Sequence, residues 1–241
     1  MISVEEALER ILGHVQMLGP EEKPALECLG QVLAEDIYSP LDVPPLDNSA
    51  MDGYAVQAES TRGATPSSPR ILEVIGEVAA GSTPQQEVSA GKAIRIMTGA
   101  AVPPGADTVV QFEDTDEVER RASAHLPQNQ IGIFREVPPD LNIRRAGEDI
   151  RQGTLVLPRG TTLRPSEIGV LASLGRKTAP IIRRPEVAII ATGDELTEVG
   201  ESLLPGRIYN SNTYSLAAQV LRTGAIPRVL GIARDTVEAV K

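Results

Sequence analysis

The chain has 241 residues, and its 23 Lys and Arg against 33 Asp and Glu give a formal net charge of −10, which argues against nucleic acid as the main partner because phosphate binding needs a basic face. Aromatic residues make up 2% and Trp is absent, so base-stacking platforms are excluded and the core has to be aliphatic. A single cysteine, Cys28, precludes an intrachain disulfide and suits a reducing compartment, and no apolar run reaches the roughly 18–20 residues that span a bilayer.

The N-terminus lacks the basic and apolar regions of a signal peptide, so a soluble cytoplasmic protein is expected. Ser3 and Glu6 form a capping box, and Val4, Ala7, Leu8, Ile11, Leu12 and Val15 share one helical face, with Gly19-Pro20 as the stop. A second short helix is expected over residues 30–37, and the proline-rich residues 39–45 have to be extended. From residue 56 short aliphatic runs at 71–78, 93–97, 108–112 and 131–137 alternate with turn residues, which points to a small β domain or barrel. Glu113, Asp114, Asp116, Glu117 and Glu119 read as a solvated hairpin loop, with cation binding the less favoured alternative.

Helical texture returns after Asp140, with a helix over 166–173 ended by Gly175. Arg183-Arg184-Pro185 opens a third unit: a strand at 186–191, a helix capped by Ser211-Asn212 and followed by Gly224, and a strand at 226–232. Asp235 then caps a further helix whose apolar stripe begins with Val237 and Val240. The expected fold is multidomain α+β and α/β. Residues 1–55 and 140–180 form an elongated, split domain; residues 56–139 are a β-rich insertion; residues 181–241 begin an α/β domain. One βαβ unit and the start of a helix cannot cover both faces of a sheet, so the chain is read as stopping inside its third domain.

Four loops concentrate groups capable of chemistry. Leu46-Asp47-Asn48-Ser49-Ala50-Met51-Asp52-Gly53-Tyr54-Ala55-Val56 crowds polar side chains after a rigid Pro-Pro, although such residues also dominate ordinary turns. Thr98, delivered by a strand to a turn, can donate to a phosphate or to metal-bound water, or simply cap its turn. Arg144 and Arg145, adjacent in an acidic protein, suit an anion, and a salt-bridge network uses the same residues. Asp194 and Glu195 follow the carboxyl end of an apolar strand, where ligands bind in open α/β sheets; two carboxylates there suit Mg²⁺ and a phosphorylated ligand, and a helix N-cap is the plainer alternative. Walker A, GxGxxG and HExxH motifs are absent. His14 and His125 lack partners at ligand spacing, and Cys28 reads as a small buried residue.

Asp47 to Val56, the Thr98-Gly99 turn, Ile143-Arg144 with Gly147-Glu148-Asp149, and Thr192-Gly193-Asp194-Glu195 occur in an order and spacing that resembles the MoeA family of molybdopterin molybdenumtransferases, which includes the gephyrin E domain. The resemblance runs the length of the chain. It implies a four-domain parent enzyme that inserts molybdate into adenylylated molybdopterin with release of AMP, assisted by Mg²⁺. It further implies a homodimer whose cleft lies between the third domain of one chain and the second-domain region of the other, with a molybdopterin adenylyltransferase as a further partner and no membrane. Asp52, Thr98, Asp149 and Glu195 match the family's catalytic positions. Asp52, Asp149 and Glu195 are the implied Mg²⁺ ligands, and Arg144, Asp194 and Ser49 the implied substrate-binding residues. Ala101 stands where the family often has proline, and Ala146 where a third arginine can occur. The chain alone is expected to be inactive, since the rest of the third domain and the fourth lie beyond it. A non-catalytic dimeric scaffold on the gephyrin E-domain fold is the alternative. A relative sharing only the third-domain fold is opposed by the first 180 residues.

Overall fold

Arg70–Val78 is the backbone of the largest sheet in the computed structural model, which describes residues 2–122 and 126–236. It pairs in parallel with Lys92–Ile96 and antiparallel with Gln130–Ile133. Lys92–Ile96 pairs antiparallel with Gly53–Val56, which pairs antiparallel with Thr108–Gln111, completing five strands. Every residue of Gly53–Val56 is buried, because alternate side chains enter two cores. Tyr54 and Val56 join Leu72, Val110, Ile131 and Ile133 on one face. Ala55 joins Val78, Val88, Ile94, Ile96 and Val109 on the other. With no Trp and few aromatics, β-branched aliphatics fill both layers, as the composition requires.

The runs expected at 71–78, 93–97 and 108–112 are strands within a residue of their ends. The last run stops at Ile133, before Val137, whose N–H bonds the Thr61 hydroxyl rather than a neighbouring strand. The solvated loop expected at residues 113–119 is instead a 3-10 turn, Phe112–Asp114, and a helix, Glu117–Ala122, that buries Glu117 and Arg120. Burial is possible because the charges are matched. Asp116 takes two bonds of 2.8 Å from Arg120 Nε and one of 2.6 Å from the N–H of Gly132.

The chain divides into two compact units, Tyr38–Val156 and the remainder on either side of it. In the discontinuous unit, Pro20–Pro24 pairs antiparallel with Thr178–Ile182. Leu33, Leu163, Leu171 and Ile181 are fully buried there. No helix forms over residues 30–37. Gly30 takes φ +74°, and the N–H groups of Leu33 and Ala34 bond Thr161 and Pro180 across the unit, so the backbone is satisfied by pairing instead. Cys28 is buried, as expected, with Sγ donating to the Pro24 carbonyl. The first helix is Val4–Leu12, with Ser3 accepting from the Glu6 N–H. It ends at Gly13, short of the expected stop, and none of its residues is buried, so no packing sustains a longer helix.

Glu186–Thr192 and Ile226–Ala233 form a parallel pair joined through the helix Ser211–Arg222, a βαβ unit. The cap of that helix is Asn210 rather than Ser211 or Asn212, because Asn210 is the residue buried at the turn with Oδ1 facing the Thr213 N–H. The further helix expected from Asp235 through Val237 and Val240 lies outside the described residues.

Two glycines test this account. A Cβ at Gly53 would stand 2.0 Å from the Val110 carbonyl oxygen, whereas at Gly169, inside the helix Pro165–Ser173, it would meet nothing within 4 Å. Gly53→Ala should lower stability by about 1–3 kcal/mol or more through forced separation of the strands. Gly169→Ala should raise it by about 0.5–1 kcal/mol by restricting the unfolded chain. Urea unfolding of both variants checks the opposite signs.

Candidate functional site

The Gly53–Val56 and Lys92–Ile96 strands bring Asp52 and Thr98 together. Gly53 lies opposite Ile96 in the antiparallel register, so the residue before one strand meets the turn after the other. Thr98 donates to Asp52 Oδ1 twice, from its N–H at 2.7 Å and from Oγ1 at 2.8 Å. The Asp52 main-chain carbonyl accepts from the N–H of Phe112, which ties the loop to the turn that follows a third strand, Thr108–Gln111. The Thr98 N–H, then its hydroxyl, hold the Asp52 carboxyl below its ordinary range, and the positive charge of Arg95 adds to them. Asp52 Oδ2 has no hydrogen bond among the described residues, and the residue is partly exposed.

Ser49 is buried, and its hydroxyl bonds both the carbonyl and the N–H of Met51, locking the turn that leads to Asp52. Its backbone bonds Gly99 and Ala100, so the Asp47 to Asp52 loop and the Thr98 turn move as one piece. Asn48–Ser49 also pairs with Ile143–Arg144, which brings in the arginine loop. There Arg144 Nη2 lies 2.8 Å from Asp149 Oδ2, both side chains about half exposed. Arg145 bridges Asp47 and Asp140. Asp47 is held below the ordinary carboxyl range, first by the N–H of Ala146 at 2.8 Å and then by Arg145. The salt-bridge alternative for this loop therefore describes both arginines, Arg144 with one carboxylate partner and Arg145 with two.

Asp194 and Glu195 belong to the other unit, in the turn just beyond the carboxyl end of Glu186–Thr192. The turn leads into the short strand Leu196–Thr197, not into a helix, so the N-cap alternative is removed. A Cβ on Gly193 would stand 2.6 Å from Glu195 Oε2, and its φ of +148° also favours glycine. Asp194 lies 3.5 Å from Arg234, and the exposed Glu195 side chain has no ion pair or hydrogen bond among the described residues.

Sequence reasoning missed the polar cluster behind Asp52. Tyr54 and Arg95 are directly opposite across the strands. The Tyr54 hydroxyl donates to Glu117 Oε2, and Glu117 Oε1 receives Arg95 Nε at 3.1 Å and Arg121 Nε at 2.8 Å. Arg95 also reaches Glu77 at 2.8 Å and lies 4.6 Å over the Phe112 ring, which meets the Tyr54 ring in an edge-to-face arrangement. Burial, then the bond to Glu117, pushes the Tyr54 phenol well above its ordinary value. The signal was an arginine interrupting the aliphatic run of residues 93–97, together with an acid inside a stretch read as solvated.

A curled, doubly covered sheet whose loops present an aspartate–threonine pair, inserted in a discontinuous unit, defines a mixed α/β architecture. Known proteins share it. The family described as "MoeA N-terminal region (domain I and II)" matches residues 2–175. Molybdopterin molybdenumtransferase 2 of Mycobacterium tuberculosis is 39% identical over 98% of this chain and 56% of its own length. Molybdopterin molybdenumtransferase of Bacillus subtilis is 39% identical over 98% of this chain and 54% of its own. A crystal structure of the molybdopterin biosynthesis MoeA protein from Pyrococcus horikoshii superimposes with TM-score 0.82 at 38% identity, covering 100% of this chain and 59% of that one. A crystal structure of a molybdopterin biosynthesis MoeA protein from Pyrococcus horikoshii OT3 gives 0.85 at 36%, covering 100% of this chain and 63% of that one. The chain belongs to the MoeA family and carries its N-terminal region. It spans a little over half the length of the curated relatives it matches. No helix among the described residues is long and apolar enough to cross a membrane.

Thr98→Ala removes one of the bonds that hold Asp52 ionised, so the Asp52 carboxyl should titrate closer to the ordinary value, as followed by carboxyl carbon NMR. The sign for stability follows: a carboxyl lowered on folding contributes above its unfolded value and loses that contribution as pH falls, so the variant should show a smaller acid-induced loss. Glu117→Gln leaves Arg95 and Tyr54 short of a charged acceptor and should cost about 1–3 kcal/mol. Glu119→Gln, on the exposed side of the same helix, should change unfolding by less than about 0.5 kcal/mol.

Proposed function

We propose that the full protein, whose N-terminal region this chain provides, is an enzyme of molybdenum cofactor biosynthesis that inserts molybdate into adenylylated molybdopterin and releases AMP. The relatives named molybdopterin molybdenumtransferase support this class. The observation that carries it is the Asp52–Thr98 pair: an ionised carboxylate fixed through one oxygen, with the other free of hydrogen bonds among the described residues. Reaction at a pyrophosphate depends on positioning and charge neutralisation rather than on a protein nucleophile. Asp52 is suited to hold a hydrated cation or to orient water there, and the Thr98 bonds keep it ionised.

Arg144 supplies a guanidinium fork for an anionic oxygen when it exchanges Asp149 for substrate. Ser49 acts through the turn that it locks, and Asp194 and Glu195 add carboxylates from the third domain. Among the described residues no three of His, Cys, Asp and Glu are placed to hold a metal ion together. Mg²⁺ does not require such a cage, since it binds through one or two carboxylates and the substrate's phosphates. Asp52 fits that role with its unbonded oxygen, Glu195 has no competing partner, and Asp149 fits on leaving Arg144. Bound Mg²⁺ supplies charge neutralisation at the phosphate oxygens.

The domain layout that goes with this reading has residues 1–55 and 140–180 as the split first domain, 56–139 as the insertion and 181–241 as the start of the third. The family description naming domains I and II over residues 2–175 supports it. The enzyme acts as a cytoplasmic homodimer, with the exposed Leu8, Ile11 and Leu12 of the first helix as apolar surface available for association. Its substrate is supplied by a molybdopterin adenylyltransferase. This chain alone is inactive.

In the full-length protein, Asp52→Asn should keep the thermal midpoint within a few degrees and lower molybdenum insertion by about 100-fold or more, the scale of a lost acid–base or charge-stabilising group. Near-normal cofactor formation would refute the assignment. Glu195→Gln keeps the shape and removes the charge that favours a hard cation, so activity should require more Mg²⁺. Superimposable Mg²⁺ titrations would assign Glu195 to packing.

A further inference from the structure

Arg183-Arg184-Pro185 joins the strand Thr178–Ile182 to the strand Glu186–Thr192 within the discontinuous unit. A cavity of about 420 Å³ opens beside this junction, with Lys23, Arg183 and Arg184 in its wall. Two carboxylates share the wall, and each has a cation. Glu21 lies 2.9 Å from Lys23, and Glu186 takes two bonds from Arg228, at 2.9 and 3.1 Å.

The two guanidinium groups have no such partner. Arg184 Nη2 donates to the Leu29 carbonyl at 3.1 Å, while its Nε is buried without an acceptor. A buried donor left unsatisfied costs about 1–3 kcal/mol. The Arg183 side chain is exposed and has no ion pair or hydrogen bond among the described residues. Both carboxylates of the wall are already paired with other cations, which leaves two adjacent guanidinium groups with no ion pair of their own in one pocket. Leu18 and Ile226 line the same cavity. Its volume falls in the roughly 300–1,000 Å³ range of small-ligand pockets and far exceeds what a bare oxyanion fills.

We propose that this pocket binds a small organic phosphate, with the phosphate on the guanidinium groups of Arg183 and Arg184 and the apolar body against Leu18 and Ile226. Guanidinium matches two phosphate oxygens at once, and neither arginine is already held in an ion pair. The site involves none of Asp52, Thr98, Asp149 or Glu195 and does not rest on the reaction proposed above.

Calorimetric titration of the full chain with phenyl phosphate and with inorganic phosphate, at constant ionic strength, tests it. Phenyl phosphate should saturate one site per chain and bind at least about tenfold more tightly than inorganic phosphate, because only the ester fills the apolar end. Arg183→Gln, at an exposed side chain, should weaken binding about tenfold with an unchanged thermal midpoint. Arg184→Gln should weaken it at least as much, and Arg62→Gln, paired with Glu59 in the other unit, should leave it unchanged. The proposal is overturned if phenyl phosphate does not saturate, if it binds no better than inorganic phosphate, or if Arg183→Gln binds as the parent does.

Discussion

The close approach of Gly53 to Val110 governs the candidate site. No side chain fits between those backbones, so the Gly53–Val56 strand lies tight between Lys92–Ile96 and Thr108–Gln111. Once that register is set, Asp52 and Thr98 meet at the end of the sheet with no freedom to slip, because a one-residue shift would turn Tyr54 and Val56 out of one core and Ala55 out of the other. The two bonds from Thr98 to Asp52 are thus a consequence of β-pairing rather than of a flexible loop finding a partner.

Electrostatics divides the Tyr38–Val156 unit into a closed interior and an open rim. Inside, Glu117 satisfies Tyr54 and Arg95, with the exposed Arg121 capping it from outside, and Asp116 satisfies Arg120 and Gly132, so buried charge is matched group by group. Such burial is tolerable only with this matching, since an unpaired charge there would cost several kcal/mol. Arg95 links the two regions: it closes the interior cluster and also adds positive potential at Asp52. At the rim, Arg144 and Asp149 stay half exposed, where an ion pair is worth less than about 1 kcal/mol and exchange with another ligand costs little.

In the discontinuous unit the glycine before the acidic pair has the corresponding role. Gly193 leaves room for the Glu195 carboxylate to fold back over the turn after Glu186–Thr192. The parallel pair that presents this turn is thinly covered. Ile189 is buried, while Val187, Ile190, Val229 and Leu230 are exposed, so the continuous apolar runs have apolar surface still open to partners.

Much of the fold was legible in the amino-acid order, because local rules decide it. The strands at 70–78, 92–96 and 108–111 follow from aliphatic runs between turn residues, the Ser3 cap from its hydroxyl, and the βαβ unit from two such runs around an amphipathic helix. Asp52, Thr98, Arg144, Asp149, Asp194 and Glu195 stood out as polar groups at the ends of those runs, and the motifs around them carried the family resemblance. What only the tertiary structure decided is pairing between distant segments. Leu33 and Ala34 lost a helix to partners at Thr161 and Pro180. The acidic residues 113–119 fold into a 3-10 turn and the start of the helix Glu117–Ala122, with Asp116 and Glu117 held by donors from Tyr54, Arg95 and Gly132 far along the chain. Asp52 was joined to Thr98 across 46 residues. Charge by itself reads as solvated in a sequence, and only the positions of its counter-charges in space determine whether it can be buried.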